Sequence, residues 1–333
     1  MAPAPPSDGE STDAVEVSVV VPARQAAATL PRTLRALARS DFAGVSEVVV
    51  VDDASTDATG ALAAAAGARV VRLERQAGPA AARNAGAAAA HGALVAFTDA
   101  DCEPTPGWLG AVVRGLGHAD LVTGPVRPDP AVPVGPYDRT LSIAGASPLF
   151  ETANLAVRRT VVERVGGFEA FVPGVDRPGL RPRPDQGHFG EDAVFGWRAR
   201  RAGARTAFLS DAVVHHAVFR RGPRGFVAER WRLRFFPALV REVPELRQSL
   251  LLRIFLSRRT ACFDLAVAGV GVARLTRRPG LALVALPYAS WYLRREDPWR
   301  RSVARHNLAL VSADLVGLAA LVRGSVAARR LLL

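Results

Sequence analysis

The first hundred residues alternate between short β-branched runs and stretches whose apolar positions recur at helical spacing. Val17 to Val21 is a run of the first kind, ended by Pro22, and predicts a buried parallel strand. Thr29 to Leu37 follows with Leu30, Leu34 and Leu37 on one helical stripe. Glu47 to Val51 predicts a second strand that ends in Asp52-Asp53, and Ser55-Thr56-Asp57 is placed to cap a helix carrying the alanine run to Ala66. Arg69 to Leu73 reads as a third strand, Ala80 to His91 as a helix, and Ala93 to Phe97 as a fourth strand. This β-α-β-α-β-α-β order predicts a parallel sheet covered on both faces, with ligands at the carboxyl ends of its strands. Pro22-Ala23-Arg24, Asp52-Asp53, Asp99 and Asp101 all fall at those ends.

Later segments are less regular. Pro125 to Pro148 is rich in Pro and Gly and reads as an irregular loop. A helix is expected over Arg159 to Val165, closed by Gly166-Gly167. Val172 to Phe189 reads as a second loop, after which Gly190-Glu191-Asp192 opens a helix through Arg201. Late strands are expected at Ala207 to Leu209 and Ala212 to Val214, ahead of His215-His216.

From Phe226 onward, arginine-studded amphipathic segments give way to apolar stretches at Ala261–Ala273, Gly280–Leu293 and Leu308–Val322. They hold 13, 14 and 15 residues, short of the ~20 that a spanning helix needs. An interfacial or re-entrant helical cap rimmed with arginine is expected, with a two-helix hairpin or an ordinary helical subdomain as alternatives. The expected organisation is a disordered tail over residues 1–15, an α/β domain over 16–225 and a helical region over 226–333. The tail is Pro-, Ala- and acid-rich and lacks the pattern of a signal peptide.

Composition narrows the chemistry. Hydrophobic residues make up 49% of the 333 and charged residues 22%, which suits a packed core. The net charge is +12, carried entirely by arginine, since the chain has no lysine. Arginine favours phosphates, on a nucleotide or on an anionic membrane. No nucleic-acid-binding motif accompanies the high pI, so nucleic acid is not an expected partner. Cys102 and Cys262 lie far apart and form neither a disulfide framework nor a zinc motif, which fits a reducing cytoplasm. Asp99 and Asp101 are spaced i, i+2 after an apolar run, so both carboxylates can hold one divalent cation or one ribose–phosphate edge. No Gly-x-Gly-x-x-Gly follows the first strand, which disfavours a dinucleotide-dependent dehydrogenase.

Six pieces in order carry a resemblance: Val-Pro-Ala-Arg at 21–24, Val-Asp-Asp-Ala-Ser-Thr-Asp at 51–57, Gly-Pro-Ala-Ala-Ala-Arg-Asn-Ala-Gly at 78–86, Asp-Ala-Asp at 99–101, Gly-Gly-Phe at 166–168 and Gly-Glu-Asp at 190–192. Together they resemble the family 2 glycosyltransferases, inverting enzymes of the GT-A fold, over roughly Val17 to Phe219. The resemblance implies that Pro22, Ala23, Arg24, Asp52, Asp53, Arg83 and Asp99 bind the nucleotide, with Asp52 and Asp53 facing the base and Arg83 the diphosphate or ribose. It implies Asp99, Asp101 and His216 as holders of Mn²⁺ or Mg²⁺, with neighbouring His215 as the alternative histidine. Asp192 matches the catalytic base, Glu191 being the runner-up or an acceptor-positioning neighbour. Glu151, Asn154 and Phe168 are expected near the donor sugar or acceptor. Cys102 reads as a small packing residue, and Trp197 and Trp231 read as core or interface residues in place of sugar platforms.

One departure is informative. Processive members carry Gln-x-x-Arg-Trp after the catalytic aspartate; here Arg230-Trp231 is present but Val227 stands at the glutamine position. A polymer-extruding synthase is therefore not expected. The implied activity is metal-dependent transfer of one sugar from a nucleotide sugar to a hydroxyl of a glycan or lipid-linked acceptor. UDP-sugars are the first choice of donor, with GDP- and dTDP-sugars as alternatives. The expected location is cytoplasmic, peripheral or monotopic on the inner face of the cell membrane, against an anionic surface. Competing readings are a polyprenyl-phosphate sugar synthase, a nucleotidyltransferase and a non-catalytic nucleotide-sugar-binding protein.

Overall fold

In the computed structural model, which describes residues 16–169, 189–293 and 301–333, the alternating apolar pattern becomes a two-sided sheet. The first seven elements are β1 (Val17–Ala23), α1 (Leu30–Leu37), β2 (Ser46–Asp52), α2 (Thr59–Ala65), β3 (Arg69–Arg72), α3 (Pro79–Ala89) and β4 (Leu94–Phe97). Val19 and Val21 of β1 pack with Leu30, Leu34 and Trp108 on one face. Val20 packs with Val49, Val51 and Phe97 on the other. That opposition is the period-2 geometry of a strand buried on both sides. β1 pairs in parallel with both β2 and β4, and β2 in parallel with β3, as the alternation predicts.

The chain continues through β5 (Cys102–Pro104), α4 (Trp108–Leu116), β6 (Leu121–Thr123), β7 (Val126–Pro128), β8 (Leu155–Arg158), α5 (Arg159–Val165), α6 (Glu191–Arg201), β9 (Thr206–Phe208) and β10 (Val214–His216). The main sheet has seven strands in the order β3-β2-β1-β4-β8-β6-β9. Its second half departs from parallel pairing, because β8 runs antiparallel to both β4 and β6. A small sheet, β5-β10-β7, stands beside it and sets His216 opposite Cys102.

Several expectations are corrected here. Pro125 to Pro148 is not wholly irregular, since β7 lies within it. The last strand covers Val214–His216 in place of Ala212–Val214, because its hydrogen bonds go to β5 and β7. Of Ser55-Thr56-Asp57, only Asp57 serves the start of α2: the N-cap position is Ala58, and Asp57 Oδ1 accepts from the Thr59 N–H at 3.0 Å. α5 does end at Gly166 and Gly167, both with positive φ, the left-handed turn that glycine adopts freely. The tail over 1–15 and most of the loop before Phe189 lie outside the described residues.

Beyond β10 the described chain is helical: α7 (Pro223–Glu229), a 3₁₀ turn (Arg230–Phe235), α8 (Phe236–Glu242), α9 (Arg258–Thr276), α10 (Leu286–Leu293) and α11 (Arg301–Ala328), with further 3₁₀ turns at Pro244–Ser249 and Pro279–Ala285. The stretch Gly280–Leu293 is split between a 3₁₀ turn and α10, with Pro279 and Pro287 at the two starts. The stretch Leu308–Val322 is the middle of a 28-residue helix, so the 15-residue count understates it. Val303–Ala328 is long and apolar enough to cross a membrane by length and composition. Leu239 and Val240 of α8 and Leu321 of α11 pack on Ala193 and Val194 of α6, tying this region to the helix that carries Asp192.

Candidate active site

The loops that follow β1 and β2 are stitched together by their own polar side chains. Ser55 Oγ accepts from the Gln25 N–H at 3.1 Å, Thr59 Oγ1 from Ala26 at 2.8 Å, and an Asp57 carboxylate oxygen from Ala27 at 3.1 Å. The Gln25 side chain in turn accepts from the Thr56 N–H at 2.6 Å. These bonds are why Ser55 and Thr56 do not cap α2; their oxygens are spent on the neighbouring loop. Gln25 and Ala54 hold positive φ angles of 49° and 53°, a local strain of the kind found where a loop must stay open over a site.

The two aspartates at the end of β2 part company. Asp53 lines the main cavity, its carboxylate accepting from the backbone N–H groups of Ala77 and Gly78 at 2.7 and 2.9 Å. Asp52 turns the other way, taking the Ser55 N–H at 2.8 Å and facing Arg72 at 3.3 Å. Successive side chains at a strand end point to opposite sides, so only one of the pair can face the ligand. Asp52 holds the turn in this geometry and does not line the main cavity, whereas Asp53 does.

The cavity has a volume of about 500 Å³ and opens over the carboxyl ends of the first four strands. Pro22, Ala23 and Arg24 line it after β1, Asp53 after β2, Gly78 after β3, and Asp99 and Asp101 after β4. Arg83, Arg139 and His216 complete its polar wall. Arg24 also donates to the Asp53 carbonyl at 3.0 Å, which fixes its stem.

Arg83 is the hub. It rises from α3, is buried, and donates to Asp99 at 3.3 Å, Glu191 at 3.3 Å and Asp192 at 3.1 Å. Burial works against its charge, yet Asp192, Asp99 and Glu191 together hold the guanidinium above its ordinary pKa. Its Nε is buried without a partner. Asp192 sits in the first turn of α6, where its second oxygen accepts from both the N–H and the hydroxyl of Thr152 at 3.1 and 3.0 Å. Burial pushes the Asp192 carboxyl up to about 7; Arg83 opposes the shift, while Glu191 and Asp99 add to it. A carboxyl poised near neutrality can exchange a proton at working pH.

Across the cavity, Asp101 and His216 face each other with Oδ2 and Nε2 3.7 Å apart. The histidine Nδ1 lies 2.7 Å from the Ala217 carbonyl and donates to it, which turns Nε2 toward Asp101. Ligand atoms of Asp101, Cys102 and His216 all fall within 4.8 Å of one another. Burial pushes the Asp101 carboxyl up, with Asp99 adding to the shift. Burial also pushes the Cys102 thiol well up, and the residue packs in the core as expected.

Three residues expected near the donor sugar or acceptor are not among those lining the main cavity. Asn154 spends its side chain inside the protein, accepting from Trp108 and donating to the Pro125 and Ala212 carbonyls. Phe168 is buried between Phe97 and Phe195, the latter stacked at 4.1 Å, and backs Arg83 from below. Glu151 accepts from Ser147 at 2.8 Å and opens the short turn that presents Thr152. None of the three lines the main cavity. Trp197 packs on Phe150 and donates to the Pro148 carbonyl, a structural use. Thr152 and Arg139 are not signalled by any motif; each comes from an irregular segment whose neighbours are set by tertiary pairing.

Residues 18–172 match the family model described as "Glycosyl transferase family 2". That match, to a family 2 glycosyltransferase domain, spans just under half of the chain. The chain is 31% identical over 199 residues to the glycosyltransferase AglE of Haloferax volcanii, a match over 54% of this chain and 65% of that protein. It is 30% identical over 236 residues to the pre-mycofactocin glycosyltransferase of Mycobacterium tuberculosis, over 64% of this chain and 44% of that one. The chain thus spans less than two thirds of the length of either relative. The fold resembles that of the mannosyltransferase PcManGT of Pyrobaculum calidifontis, solved with GDP-Man and Mn²⁺, with a TM-score of 0.61 at 23% identity. That likeness covers 92% of this chain and 88% of the other, so the shared GT-A fold runs past the family 2 domain into the C-terminal helices.

Proposed function

We propose that the protein is an inverting glycosyltransferase that moves one sugar from a nucleoside-diphosphate sugar to a hydroxyl of a cell-envelope or membrane-associated acceptor. The observation that carries this reading is Arg83, one guanidinium that ties a carboxylate at the end of β4 to the carboxyl of Asp192 on α6. Arg83 lines the cavity while Asp192 does not, so this guanidinium joins the cationic wall of the cavity to a proton acceptor directly behind it, 3.1 Å away. In this reading the nucleotide lies over the strand ends, with Asp53 and its clamped loop at the base and Arg24, Arg83 and Arg139 around the diphosphate. Asp192 takes the proton of the acceptor hydroxyl as that oxygen attacks the anomeric carbon from the side opposite the departing diphosphate, which inverts the centre. Thr152 orients the base by holding its second oxygen.

A divalent cation fits the donor set, because His216 Nε2 and the carboxylates of Asp101 and Asp99 present N and O ligand atoms on one wall. When bound, Mn²⁺ or Mg²⁺ would neutralise charge on the leaving diphosphate. PcManGT, solved in complex with GDP-Man and Mn²⁺, supports both the donor class and the ion. The names of the two relatives support transfer of a sugar. A place at the inner face of the membrane is supported by the C-terminal region. Among the described residues, 17 of the 21 exposed large apolar side chains lie at or beyond Leu252.

The test is nucleotide release from a panel of UDP-, GDP- and dTDP-sugars, with Mn²⁺ or with EDTA, for the wild type and Asp101→Asn. Metal-dependent release of one nucleoside diphosphate, lost in the variant, is the expected result and names the donor. No release together with no nucleotide binding by calorimetry would sink the reading.

A further inference from the structure

A second hollow, of about 160 Å³, lies where the 3₁₀ turn after α7 meets α11. Arg234 and Arg323 are its charged walls, and Phe235, Ala238, Gly324 and Ala328 line the remainder. Gly324 explains how the two elements come so close: a Cβ there would stand 2.1 Å from the Arg234 carbonyl oxygen. Arg234 is half-buried, held over the Phe235 ring at 4.0 Å and donating to the Trp231 carbonyl at 2.8 Å. Among the described residues no carboxylate pairs with either arginine. Burial, with Arg323 and Arg232 close by, lowers the pKa of Arg234. Two like charges brought together beside apolar walls are stabilised by an anion between them, and a forked pair of guanidiniums matches a phosphate.

The surroundings say what carries that phosphate. The hollow is walled mostly by carbon, and Val322 and Val326, which flank Arg323 and Gly324 on α11, are exposed at 45% and 75%. A wholly solvated ion has no use for such walls; an amphiphile does. Phe235 also packs on Phe189 at 6.0 Å, directly before Gly190-Glu191-Asp192. We propose that this hollow binds the phosphomonoester group of a lipid, anchoring a lipid acceptor beside the helix that presents Asp192. The inference deepens the transferase reading and rests on it for the role of the ligand as acceptor, not for its binding.

The experiment is flotation of the full chain with phosphatidylcholine vesicles carrying either phosphatidic acid or phosphatidylserine at equal surface charge. The wild type should prefer the phosphomonoester lipid by about tenfold, the size of one charge-assisted contact. Arg323→Gln, an exposed position, should abolish that preference, while Arg330→Gln, which removes the same charge outside the hollow, should keep it. Equal binding of the two lipids by the wild type, or a preference that survives Arg323→Gln, would overturn the proposal. So would full competition by soluble glycerol phosphate at the concentration of the lipid, since the site would then serve a free phosphate. Flotation needs no turnover, so its outcome and that of the nucleotide-release test fail separately.

Discussion

Gly86 and Gly271 sit inside helices in the two halves of the molecule, and a methyl group added to each would meet different surroundings. At Gly86 of α3 the new carbon would lie 2.3 Å from Val20 and 3.0 Å from Val51. At Gly271 of α9 nothing lies within 4 Å. The sheet half is built to close tolerance because α3 must lie flat on β1 and β2 to carry Arg83 over the end of β4. The C-terminal helices leave Leu275 exposed at 86% and Val326 at 75%, surface that a tightly packed domain would bury. One half is shaped around an internal site and the other around something outside the chain.

The largest expected effect separates the two halves. Asp192→Asn should lower transfer by about a thousandfold, within the range for losing a general base, and leave vesicle flotation unchanged. The substitution keeps shape and removes only the proton acceptor and its charge. A parallel loss of flotation would mean that the halves are coupled and would break the comparison.

Next in size is stability, measured by calorimetry on the two glycines. Gly86→Ala should destabilise by about 1–3 kcal/mol, as overpacking does, because both valines belong to strand interiors and cannot yield. Gly271→Ala should be neutral or stabilise by up to about 1 kcal/mol, the helix-propensity gain with no clash to oppose it. Equal effects at both positions would show that the C-terminal helices pack as tightly as the sheet.

How much of this is legible in the chain follows the same divide. The first four strands and their helices can be read from valine runs and the 3.6-residue spacing of Leu30, Leu34 and Leu37, because local pattern and buried face coincide there. Asp99, Asp101 and Asp53 can be placed at strand ends by the same logic, Arg83 is marked only by the motif it belongs to, and all four share one cavity. Asn154 and Phe168 cannot, since polarity or aromaticity in sequence does not reveal whether a side chain faces a cavity or its own core. Thr152 is legible only after folding, because its partner Asp192 is forty residues away. The extent of α11 is hidden for a different reason: a count of uninterrupted apolar residues ignores the arginine-bearing turns through which the helix continues.

The smallest expected effect concerns the joint between the halves, where α6 receives Thr152 from the sheet side and Leu239 from the helical side. A base works deprotonated, so kcat/KM should climb with pH through about 7 and level off above it. The Thr152 hydroxyl donates to the carboxylate and so favours its charged form. Thr152→Val removes that donor while the backbone N–H remains, which should raise the apparent pKa and move the climb upward by about half a unit. Thr152→Ser keeps the hydroxyl and should restore the wild-type profile. A purely structural role would lower activity at every pH without displacing the curve, so the displacement is the informative readout. If Thr152→Val left the midpoint in place, the sheet side would not be what tunes Asp192, and the packing of α6 on Leu239 and Val240 would become the element to examine.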